Sequence, residues 1–82
     1  PHNLDAMNSL AVCYENQNSV DKLINIREKI EESDPWNAYN LYKLAITYKQ
    51  IGQNEKSMLL KAKILKFASK TDVGKLALSN LT

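Results

Sequence analysis

Positions 34 residues apart carry matching residue types along most of this 82-residue chain, and that fixed offset leaves few folds open. Met7, Leu10, Ala11 and Tyr14 fall at i, i+3, i+4 and i+7, the spacing of one helical stripe. Leu41, Leu44, Ala45 and Tyr48 repeat that spacing, each 34 positions after its counterpart. The offset also pairs Pro1 with Pro35, Asn3 with Asn37, Lys22 with Lys56, Lys29 with Lys63 and Ile30 with Ile64. Softer pairs are Val12 with Ile46, Asp21 with Glu55, Ile24 with Met58 and Arg27 with Lys61. Identity at so many types across one offset is hard to obtain by chance, so the chain is read as an internal repeat.

Each copy reads as helix, turn, helix. Asn3 and Asn37 precede the first stripes and suit the N-cap, where a side-chain oxygen accepts from an orphan backbone N–H. First helices are predicted near 4–16 and 38–50, second helices near 20–33 and 55–69. Asn18 and Gly52 stand in matching places after the first helices, and both types tolerate left-handed backbone at a helix end. Asp34-Pro35 closes the first copy, because the residue before proline is pushed out of helical geometry. Thr71-Asp72 offers a cap for a fifth helix with Val73, Leu76, Ala77 and Leu81 on one side.

Composition supports this frame mainly by exclusion. With 44% hydrophobic and 24% charged residues the chain is an ordinary globular one, neither disordered nor fibrous. Its length allows one domain and, at about 60–65% of surface buried, a modest core. Two glycines give no material for a phosphate-cradling loop, and one cysteine with one histidine gives neither an internal disulfide nor a metal site. The longest apolar run, Leu10 to Tyr14, is too short to cross a bilayer. No catalytic pair, triad or metal-ligand spacing stands out, so the expectation is a non-enzyme without cofactor. A chain opening at Pro1 reads as a piece of a longer protein, so the compartment stays open.

The period and these residues resemble the tetratricopeptide repeat (TPR), whose first helix carries a leucine, a small residue and, three places on, a tyrosine. Leu10, Ala11 and Tyr14 fit that pattern, as do Leu44, Ala45 and Tyr48. The family's turn glycine is met by Gly52 and replaced by Asn18; its closing proline is met by Pro35. Met7 and Leu41 stand where tryptophan is common, Arg27 and Lys61 where an aromatic is common, and Ile30 and Ile64 where alanine is common. The resemblance implies an all-α fold of antiparallel helix-turn-helix repeats in a right-handed solenoid. Units would span 1–34 and 35–68, with 69–82 as a C-terminal capping helix or the start of a third unit.

It further implies that the first helices line a concave groove and that Met7, Leu10, Ala11, Tyr14, Leu41, Leu44, Ala45 and Tyr48 are core. Groove candidates are then Asn8, Val12, Tyr39, Tyr42, Ile46 and Lys49, a patch suited to a protein or peptide partner. Tyr39 and Tyr42 could equally pack on a neighbouring unit or on the fifth helix. Family members that grip a C-terminal carboxylate use lysine and asparagine at positions here held by Asn8, Val12, Tyr42 and Ile46, so no such clamp is expected. Trp36 is expected to wedge against Ile30 and the next helix, Cys13 to be a semi-buried inert thiol, and His2 to fray.

A narrower resemblance covers Asp34 to Ala77. The wording PWNAYN, LAITYKQIGQ and KILKFAS is similar to the TPR tail of bacterial membrane proteins of the O-antigen ligase and polymerase type. It implies a parent embedded in a bacterial membrane and handling lipid-linked polysaccharide, with its chemistry outside these residues.

Charge divides the chain unevenly. Up to Asp34, three basic residues face seven acidic ones, a net −4; from Pro35, eight face two, a net +6. Solvated helix faces account for this, and head-to-tail self-association is the alternative it leaves. Lys56, Lys63 and Lys70 recur every seven residues, but without arginine nearby and with Phe67 as the single neighbouring aromatic they make a poor nucleic-acid surface.

Overall fold

The computed structural model describes residues 3–81, and all the regular structure in them is helical. The helices are α1 (Leu4–Asn16), α2 (Val20–Ser33), α3 (Ala38–Gln50), α4 (Asn54–Ala68) and α5 (Asp72–Asn80). They fall into two compact units, one up to Trp36 and one from Asn37 onward. The pairing of Pro1 with Pro35 and the expectation for His2 lie outside the described residues.

In the first unit α1 and α2 pack together as a hairpin. The Asn3 side chain accepts from the Ala6 N–H at 3.1 Å, and the Asn3 carbonyl takes the Met7 N–H at 3.0 Å. At its far end α1 turns through Asn18, whose φ is +58°. There the Asn18 N–H donates to the Glu15 carbonyl at 3.1 Å and the Ser19 N–H to the Tyr14 carbonyl at 2.9 Å. This is the Schellman closure, which satisfies carbonyls that the helix end would leave open.

The second unit repeats these bonds 34 residues on. Asn37 accepts from the Asn40 N–H at 3.1 Å, and its carbonyl takes the Leu41 N–H at 3.0 Å. Gly52, at φ +81°, donates to Lys49 at 3.1 Å, and the Gln53 N–H reaches the Tyr48 carbonyl at 2.9 Å. A side-chain contact recurs as well: the Lys22 ammonium lies 5.9 Å from the Tyr14 ring, and that of Lys56 lies 5.3 Å from the Tyr48 ring. Each such pair contributes about 0.5–1 kcal/mol at an exposed site.

Burial follows the same period. Met7, Ala11, Leu23, Ile26 and Ile30 form the core of the first unit, with Leu4 and Tyr14 packed at its edge. In the second unit Leu41, Leu44, Ala45, Tyr48, Leu60, Ile64, Ala68, Ala77 and Leu81 are buried. Leu10 departs from the expected core, being 45% exposed where its counterpart Leu44 is 1% exposed. A stripe this wide is covered on both flanks only where a further helix lies alongside. Within its unit α1 has α2 alone, whereas α3 packs against both α4 and α5.

Other differences are local. Trp36, expected as a wedge, is 61% exposed in the short turn that holds Pro35. Cys13 is exposed on α1, not semi-buried, since it lies off the Met7–Ala11 face. On α5 the buried positions are Gly74, Ala77 and Leu81, with Val73 half-buried, while Leu76 turns outward at 44% exposure. Helix α4 begins at Asn54 and ends at Ala68, within a residue of the expected span.

Two substitutions test this frame. Gly52 has open space around the position a Cβ would take, so Gly52→Ala suffers only the left-handed backbone penalty, about 1–2 kcal/mol. Thermal unfolding should show a melting point lower by several degrees with unchanged circular dichroism. Ala45 is 0% exposed, so Ala45→Leu should overpack the second unit and cost about 1–3 kcal/mol in denaturant titration. An unchanged midpoint would mean the space beside Ala45 is loose.

Candidate partner-binding faces

The six groove candidates divide between the units. Asn8 and Val12 lie on α1, where Asn8 is half-buried and Val12 is 50% exposed. Tyr39, Tyr42, Ile46 and Lys49 lie on α3 at i, i+3, i+7 and i+10, one face of that helix. Tyr39 is 54% exposed, Tyr42 and Ile46 are half-buried, and Lys49 is exposed.

Part of the α3 face is already occupied by the chain itself. The Asn80 side-chain amide donates to the Tyr42 hydroxyl at 3.0 Å, and the Lys49 ammonium donates to the Asn80 carbonyl at 2.9 Å. One residue at the end of α5 therefore holds two α3 side chains, and the fifth-helix alternative applies to Tyr42. Tyr39, one turn earlier, keeps an open aromatic surface. Asn80 was not legible as a site residue, because its partners are 31 and 38 positions away in sequence and no local pattern joins them.

The turn that brings α5 back is short and tight. Thr71 caps α5 by accepting from the Gly74 N–H at 3.1 Å, while its hydroxyl and its N–H both donate to the Ala68 carbonyl, at 2.6 and 3.1 Å. A Cβ built on Gly74 would overlap the Ala68 carbonyl oxygen and come within 2.7 Å of the Ser69 oxygen, so glycine is required for this approach. At the other end of α4, Met58 and Leu59 are exposed at 47% and 72%, lining a shallow notch with Asn54 and Glu55.

Arg27 is a buried residue whose environment the sequence reading missed, at 2% exposed. The spacing of Leu23, Ile26, Arg27 and Ile30 on one side of α2 is the signal that could have found it. Its long aliphatic stem lets Arg27 share the apolar side of α2 with Leu23, Ile26 and Ile30. Among the described residues no three metal-ligating side chains gather, and no helix is long and apolar enough to cross a membrane.

Tyr42→Phe removes the acceptor for the Asn80 amide and leaves the ring in place. Amide exchange in the last turn of α5 should quicken several-fold, with a melting point lower by a few degrees at most. Unchanged exchange would mean that the Asn80–Tyr42 bond does not fasten α5.

No protein-family model, curated protein or solved structure matches this chain, which is therefore placed by its own residues as an all-α, repeat-like chain of helix hairpins.

Proposed function

We propose that this chain is a non-catalytic protein-binding module, a short array of TPR-type hairpins whose first helices present side chains to a protein or peptide partner. The observation that carries this reading is the recurrence, at one 34-residue offset, of the same caps, the same Schellman closures and the same lysine–tyrosine contact. A frame held this way is ordered before any partner arrives, so little receptor ordering opposes binding. On it the exposed residues differ between copies, Val12 in one and Tyr39 in the other, which is how a repeated scaffold acquires a specific surface. Tyr39 is the expected anchor, since tyrosine supplies contact area at low entropic cost.

A displayed peptide library selected against the full chain tests this. Recovered binders should lose about tenfold in affinity on Tyr39→Ala, roughly 1.4 kcal/mol, with helical content intact. A library that yields no binder, or binders indifferent to Tyr39 and Val12, would remove the reading.

A further inference from the structure

Unlike the α2–α3 turn, which holds Pro35, the turn between α4 and α5 has no proline, and it also differs from the α1–α2 and α3–α4 turns. Those two close through a left-handed residue, Asn18 or Gly52. No residue with positive φ occurs between Ala68 and Asp72. Ser69 keeps right-handed helical backbone at φ −60° and ψ −30°, and the chain leaves the helix at Thr71, whose ψ is 168°. The turn residues Ser69, Lys70 and Thr71 include neither proline nor glycine, so nothing in them forbids α-helix.

From this we infer that α5 is an exchangeable arm. Rotation about the backbone at Lys70 and Thr71 joins α4 and α5 into one helix from Asn54 to Asn80, about 40 Å long. At 100° per residue, the buried side of α5 (Gly74, Ala77, Leu81) then lies about 110° around the axis from that of α4 (Ser57, Leu60, Ile64, Ala68). The arm then points off its own unit, and the surface it leaves on α3 and α4 is vacant. The partner that fits this surface is the α5 of a second copy. It brings the same Ala77, Leu81 and Asn80, so its Asn80 meets Tyr42 and Lys49 as the native arm does.

The docked arm rests on Gly74, Ala77 and Leu81 and on the two Asn80 bonds. It is nine residues long, too short to hold as a helix unaided, and carries exposed Leu76 and Leu78. Exchange preserves the contacts it does make, so the balance between the two forms is set by the turn and by concentration. Gly74 biases that balance toward the folded-back form, because only a residue without Cβ can lie against the Ala68 and Ser69 carbonyls. In the straightened helix the same glycine is a poor interior residue. This inference stands apart from the binding-module reading, since it rests on the α4–α5 turn alone.

The test is sedimentation of the full chain carrying Thr71→Ala and Gly74→Ala, beside a second variant lacking Lys70. The first removes the α5 cap and crowds the folded-back form; the second leaves the turn too short to reverse. Both should sediment as dimers of slightly higher helical content, since the turn residues join the helix, with α5 amides as slow to exchange as in the parent chain. Monomers of either variant, whatever their helicity, would overturn the proposal, as would dimers whose α5 amides exchange freely.

Discussion

One left-handed residue per hairpin holds this structure in its repeating form. Asn18 and Gly52 reverse the chain where the first helices end, and the reversal carries two backbone bonds that close the helix terminus. Because a Schellman closure fixes which carbonyl meets which N–H, it also fixes the angular start of the following helix. Leu23 and Ile26 then face Met7 and Ala11 in one unit, and the equivalent positions Ser57 and Leu60 are buried in the other. Glycine adopts this backbone without strain; asparagine adopts it at some cost but more readily than residues lacking a short polar side chain.

The same backbone accounts for the lysine–tyrosine contact. The tyrosines sit at the end of the first helix and lend their carbonyls to the closure, while the lysines sit in the first turn of the second helix. Closing the turn is enough to carry Lys22 over Tyr14 and Lys56 over Tyr48. This bears on charge. Lys56 is one of the lysines that recur every seven residues, and here it serves the hairpin. A basic spacing in sequence is thus no measure of how much positive charge a face has to offer.

Much of the fold was legible because its determinants are local. Asn3, Asn37, Asn18, Gly52 and Thr71 each act within a few residues of themselves, and all occupy the expected cap or turn. Side-chain exposure was less legible, since it depends on how many neighbours a helix has. Leu10 and Leu44 hold the same place in the repeat, yet the first is half in solvent while the second is buried. Arg27 shows the converse, a charge read as surface that lies inside. Of the candidate groove, Tyr39 and Val12 could be placed from their own helices, but the engagement of Tyr42 and Lys49 depended on a residue more than thirty positions away.

Where the repeat is broken, the structure changes character. The buried positions of α5, Gly74 and Ala77, fall one residue early against Leu41 and Leu44 in the 34-residue register, and its turn, like that between α2 and α3, has no left-handed residue. Gly74 and Thr71 take over the work that Asn18 and Gly52 do elsewhere, but through close packing and a side-chain cap in place of backbone closure. Such a junction is only as firm as the surface α5 rests on. A left-handed residue ends a helix whatever lies nearby; a tight approach ends it only while the approached carbonyl stays put. The α4–α5 junction, with neither a left-handed residue nor a proline, is therefore held by close packing and by the Thr71 cap.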